Sequence, residues 1–230
     1  MRSRPPRPYA AGVTDRRREL LDATVTVIAR RGVRGLRVQE VAAEAGVSVP
    51  LIYHYFGSRE GLLTAALAAV DERADRYSTE AADPAATPRE ELTARLLGEL
   101  QDLPEVRTTS SAWGELRWAS VFDTTLRPDV ARLTAAWVDH VADLVRRIQD
   151  EEGTADPDGR DPRETAEILV ALVEGLSGRW LTGAIALPHL RHLLQLAVSR
   201  ELPPPPAARP DTRSRTRRAT RGAAVSRTPR

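Results

Sequence analysis

Two groups of residues in this chain have types and spacings that can do chemistry. The first is Ala42, Gly46 and Ile52. They supply a small residue where two helices touch, a residue tolerant of left-handed backbone in the turn, and an apolar anchor beyond it. That spacing fits a helix-turn-helix, whose second helix places its N-terminal half in the major groove of double-stranded DNA. An ordinary helical hairpin carries the same short pattern. The second group is aromatic: Trp113, Trp118 and Trp137, with Phe122 and Arg117, in a chain that is only 4% aromatic. These side chains suit a pocket wall for an apolar or cationic small molecule, with Glu115 or Asp139 as charge partner. They equally suit a core built from large rings.

Other chemistry is thin. The chain has no cysteine, so thiolate metal sites, disulfides and cysteine nucleophiles are excluded together. His189 and His192 lie three apart with no third ligand nearby, so no metal site is expected. The acidic segment 156–161 lacks the full spacing of a calcium loop. No glycine-rich phosphate loop or nucleophile elbow occurs, so neither an enzyme nor a cofactor is expected.

Charge separates the chain into three parts. All 34 basic residues are Arg. Residues 1–60 hold 11 Arg and six acids, 61–202 hold 15 Arg and 25 acids, and 203–230 hold eight Arg and Asp211 alone. A basic end on an acidic body suggests one nucleic-acid-facing end. No apolar run reaches the roughly 18 residues of a membrane span, and no secretory signal is visible, so the expected address is the cytoplasm.

The elements that must position these groups are helical throughout. Apolar residues recur at three- and four-residue spacing, and no alternating run is long enough for a strand. The fold class is all-α with about nine helices. Residues 1–13 read as a basic arm, 14–60 as the DNA-binding domain, 61–202 as a larger effector-binding and dimerisation domain, and 203–230 as an Arg- and Pro-rich tail. Thr14 is the expected cap of the first helix, whose inner face is Leu20, Leu21, Thr24, Val27 and Ile28. Gly32 ends it in a manner that requires positive φ. Val38, Val41, Ala42 and Ala45 line a two-turn second helix. Ser48 then caps a third, with Pro50 in its first turn.

The run A-A-E-A-G-V-S-V-P-L-I-Y-H-Y-F-G-S-R-E-G-L-L (42–63), with the preceding helix over 20–38, closely resembles the DNA-binding signature of TetR-like transcriptional regulators. The resemblance implies that Ser48, Val49, Pro50 and Leu51 face base edges, that Tyr53 and His54 contact phosphate or base, and that Arg59 grips the DNA backbone. Arg37, near the start of the second helix, reads equally as a phosphate contact or a solvated side chain. The recognition helix has no Arg, Asn or Gln for bidentate base contacts, so specificity leans on thymine methyls, Ser48 and DNA shape.

The resemblance also implies a larger helical domain with a ligand pocket and a dimer interface. Leu169, Leu172, Leu176 and Trp180 on the eighth helix, with Leu190 and Leu194 on the ninth, form apolar faces that a two-fold mate can bury as a four-helix bundle. Burial inside one subunit is the alternative. The reading that follows is a homodimeric repressor, released from a palindromic operator when an effector tilts the fourth helix. The competing reading is an architectural DNA-binding dimer with no effector and a solid core around the tryptophans.

Overall fold

The computed structural model describes residues 8–153 and 161–204, with side chains from Asp15 onward. Among the described residues there are nine helices and no strand. They are α1 (Pro8–Gly35), α2 (Val38–Glu44), α3 (Val49–Phe56), α4 (Arg59–Glu80), α5 (Pro88–Gly98), α6 (Pro104–Phe122), α7 (Arg127–Glu152), α8 (Pro162–Leu181) and α9 (Leu187–Glu201). Thr14 is not the cap: α1 already begins at Pro8, where a missing N–H costs nothing in a first turn and Ala10 and Ala11 favour helix. Arg2, Arg4 and Arg7 of the expected arm, and residues 205–230 of the expected tail, lie outside the described residues.

Several helix starts follow from single residues. Thr87 and Glu90 form a capping box at α5, each side chain satisfying the other's backbone N–H. Asp161 accepts from the Arg163 N–H at the start of α8. Proline occupies the first turn of α5, α6, α7, α8 and α9. Arg89 on α5 closes the far end of the bundle. Its guanidinium takes both Glu152 oxygens at 2.7 Å and also donates to the Leu202 carbonyl. That planar fork suits a guanidinium and not an ammonium.

The apolar side chains collect in two cores. The first joins α1–α4 to α6 and the start of α7, through Leu20, Ile28, Ile52, Leu62, Leu116 and Leu133. The second lies among α5, α7, α8 and α9, around Leu92, Leu96, Val145, Leu169 and Leu190. The first core therefore runs past residue 60 into the segment expected to form the second domain. Burying one Leu or Ile contributes on the order of 1.5–3 kcal/mol, so this shared core ties α6 firmly to the DNA-reading helices.

The expected dimer face is corrected here. Leu169, Leu176, Trp180, Leu190 and Leu194 are all no more than 5% exposed within a single chain. α8 packs on α7 and α9, and α9 also meets α5, so the stripe of largest side chains fills the subunit's own core. Leu172 is half-buried at the edge of that stripe. The outward sides of the same two helices carry Ile168 at 44% and Leu196 at 38% exposure. Gly175 and Gly178 lie beside Ile168 and Leu172 in α8, and a Cβ at either would meet nothing within 4 Å.

Candidate nucleic-acid interface and effector cavity

α2 stops after two turns because Gly46 adopts φ 63°, while the Val47 N–H returns to the Ala42 carbonyl at 2.9 Å. The chain then re-enters helix at Val49 with Ser48 in extended backbone. Ile52 is 1% exposed and locks α3 onto the first core. Val49, Leu51, Tyr55 and Phe56 are half-buried, and the Arg17 guanidinium lies 5.5 Å over the Phe56 ring. What remains outward is Ser48, Pro50, Tyr53 and His54. Positions 50, 53 and 54 share one side of a helix by the three- and four-residue rule. Arg37 is exposed at the start of α2.

Two details differ from expectation. Ser48 makes no side-chain capping bond, so its exposed hydroxyl is free to meet a partner. Arg59 is half-buried, and its Nη2 donates to the Val33 carbonyl at 2.7 Å. The break at Gly32 accounts for this, because a helix end leaves a carbonyl unsatisfied and α4 begins beside it. The same Val33 is held from the opposite side, where Glu115 Oε2 on α6 accepts from its N–H at 3.2 Å.

Glu115 also lines an open cavity of about 580 Å³ bordered by α4, α5, α6, α7 and α8, with Ala29 of α1 at its edge. Trp113, Arg117, Trp118 and Trp137 line it as well. Phe122 does not: it lies at the end of α6, 74% exposed, with the Arg34 guanidinium 5.3 Å from its ring. Asp139 also points elsewhere, to an ion pair with Arg163. On one wall Glu174 accepts from the Trp113 indole at 3.2 Å and faces Arg117 at 3.4 Å. On another lie Asp71, Asp75, Tyr77 and Glu99, with the Tyr77 hydroxyl donating to Glu99 at 2.9 Å. Five carboxylates therefore meet two guanidiniums, Arg95 and Arg117, and both of these are already engaged by acids. Burial pushes the Asp71 carboxyl up, with Asp75 adding to it.

Residues 20–66 match the model of bacterial regulatory proteins of the tetR family, and residues 88–203 match the C-terminal domain of BetI-type transcriptional repressors. The chain belongs to the tetR family. Among curated relatives of this tetR-family regulator is the HTH-type transcriptional regulator BetI of Burkholderia thailandensis, 33% identical over 74% of this chain and 83% of the relative. BetI 1 of Chromohalobacter salexigens is 30% identical over 74% and 80% of the two chains. A TetR-family regulator from Rhodococcus sp. has a solved structure 44% identical in sequence, with a TM-score of 0.76, covering 82% of this chain and 99% of its own. A transcriptional regulator from Saccharomonospora viridis, solved in complex with choline, is 26% identical with a TM-score of 0.72, over 82% of this chain and 98% of its own. TetR-family proteins are DNA-binding regulators and not enzymes. No group of three or more potential metal ligands occurs among the described residues, and His189 and His192 are simply exposed.

The acidic wall of this regulator's cavity is absent from the aromatic pattern, yet it leaves a trace in the sequence. Glu99 follows Leu92 and Leu96 at helical spacing, which puts a carboxyl on a buried stripe. Asp71 and Asp75 fall in the same way after Leu67. A single glycine tests how the cavity wall meets the reader. Gly32 has φ 72° and ψ 166°, a region essentially closed to L-residues, and a Cβ there would lie 2.6 Å from Glu115 Oε2. Gly32→Ala should therefore lose about 1–3 kcal/mol of stability in denaturant unfolding. A neutral result would mean that the break relaxes freely.

Proposed function

We propose that this tetR-family protein is a homodimeric, cytoplasmic repressor of a palindromic operator, released when a small organic cation of the choline type occupies the cavity. The observation that carries this reading is the cavity itself: three tryptophans and a tyrosine beside an excess of carboxylates. Aromatic faces and nearby anions together recognise quaternary ammonium groups. The choline found in the Saccharomonospora viridis relative points the same way. An architectural dimer without an effector has no use for so large an opening between α4 and α8.

The coupling runs through backbone. An effector that shifts α6 carries Glu115 with it and so pulls on the Val33 N–H, and the Val33 carbonyl is the acceptor of Arg59 at the head of α4. Ser48, Pro50, Tyr53 and His54 face the groove, and Arg37 neutralises phosphate. Arg59 holds α4 in place instead of gripping DNA. Two readers on a two-fold dimer enter successive grooves roughly 34–36 Å apart. The outward side of α8 and α9 brings the copies together: Ile168, Leu172 and Leu196 are apolar there, and Gly175 and Gly178 allow close approach.

Selection of bound fragments from genomic DNA, followed by titration with choline, tests the whole reading: a palindrome should be recovered and choline should release it. On that DNA, Tyr53→Ala should cost about 1 kcal/mol or more per half-site with an unchanged melting temperature. Undiminished affinity would remove Tyr53 from the interface.

A further inference from the structure

Resting on the reading of the cavity as a cation site, we infer that the charged head of the effector seats against Glu99, at the α4–α5 side of the cavity, and that Glu99 releases a proton to solvent as it does so. Effector affinity then rises with pH. Glu99 is half-buried, lines the cavity, and is fixed by the Tyr77 hydroxyl at 2.9 Å. Tyr77 itself is 7% exposed and cannot swing away without opening the α4–α5 contact. This places a tyrosine and a carboxyl together on the cavity wall, the two group types that recognise an ammonium head.

Burial is the main cause that pushes the Glu99 carboxyl up, to about 8; the Tyr77 hydrogen bond opposes it, and Asp71 and Asp75 add to it. The cations around it are bonded to groups other than Glu99. On α5, Arg95 is engaged with Glu91 and lies 3.9 Å from Asp75. On α6, Glu105 pairs with Arg76. From α9, Arg191 donates to the carbonyls of Leu97 and Leu100, the backbone on either side of Glu99. On α7, burial and Arg95 lower His140 below its usual value of 6.5, so it is neutral above neutral pH. Among the described residues no guanidinium is bonded to Glu99, so without a bound cation its carboxyl stays protonated at neutral pH. An arriving permanent cation favours the carboxylate, and the O–H bond of Glu99 breaks as the proton leaves to buffer.

The sign follows from linkage. A ligand that lowers a carboxyl's pKa binds more tightly as pH rises, up to about tenfold per unit, and the gain levels off above the free-state value of about 8. Calorimetric titration of the full-length dimer with choline, from about pH 7 to 9 in buffers of different ionisation enthalpy, reads both the affinity and the proton. The expected result is release approaching one proton at the lower pH and little near the upper, with affinity rising in step. Glu99→Gln keeps an acceptor for Tyr77 and should bind choline more weakly, with no proton released and a flat pH profile. Choline binding without proton release, or a Glu99→Gln profile that matches the parent, overturns this inference and leaves the cavity's role intact. Failure of choline to bind at any pH overturns both.

Discussion

Exchanging Ile168 and Leu196 together for Glu should yield folded monomers and cut operator affinity by roughly 100-fold or more. The loss is large because a dimer that occupies one half-site presents its second reader at a high effective concentration, and that gain disappears entirely in a monomer. Both side chains are exposed in the subunit, at 44% and 38%, so the substitution leaves each chain's own core untouched. Placing four carboxylates at the centre of a two-fold interface, by contrast, adds repulsion and desolvation cost to both copies. Light scattering or sedimentation reads the mass, circular dichroism the retained helix, and a binding titration the DNA. Persistence of the dimer would move the interface off α8 and α9. Leu169→Ala makes the opposite control: it should destabilise the chain by about 2–5 kcal/mol, because Leu169 is 0% exposed in the second core.

Removing the Glu115 carboxylate should uncouple the two ends of the molecule. In Glu115→Ala the Val33 N–H loses its partner on α6, while Arg59 keeps its hold on the Val33 carbonyl. Operator affinity without effector should stay close to the parent's, since none of the outward residues of α3 is touched. The ratio of operator affinities with and without choline should shrink. Coupling between two sites is typically about 1–3 kcal/mol, or roughly 5- to 150-fold in affinity, and that span bounds what the substitution can erase. Reciprocity supplies an internal check, because DNA must weaken choline binding by the same factor as choline weakens DNA binding. An undiminished ratio would place the route elsewhere, through the core shared by α4 and α6.

Neighbours far along the chain decide where the side chains of α8, α9 and α4 turn. A helix with a broad apolar face can bury only part of it on one neighbour, and the sequence cannot say whether the partner surface belongs to the same chain or to another copy. Leu169 and Leu190 went inward because α7 and α5 were available to cover them. Ile168, Leu196, Gly175 and Gly178 were left on the outward sides. Arg59 is similar: its charge and position suit a phosphate, but Gly32 breaks α1 where the Val33 carbonyl comes within reach of its guanidinium.

The reader was legible from the chain alone because its features are local. Gly32, Gly46 and Ile52 act through φ preference and helical period, both of which are set within a few residues. The aromatic composition of the cavity was legible for the same reason, since Trp113 and Trp118 lie on one helix. What needed tertiary structure was everything assembled from distant segments: the meeting of Asp71, Glu99 and Glu174 on the walls of one cavity, the double hold on Val33, and the choice of which apolar faces turn inward. Such contacts depend on how helices cross in space, and a linear pattern fixes a helix's face without fixing its neighbour.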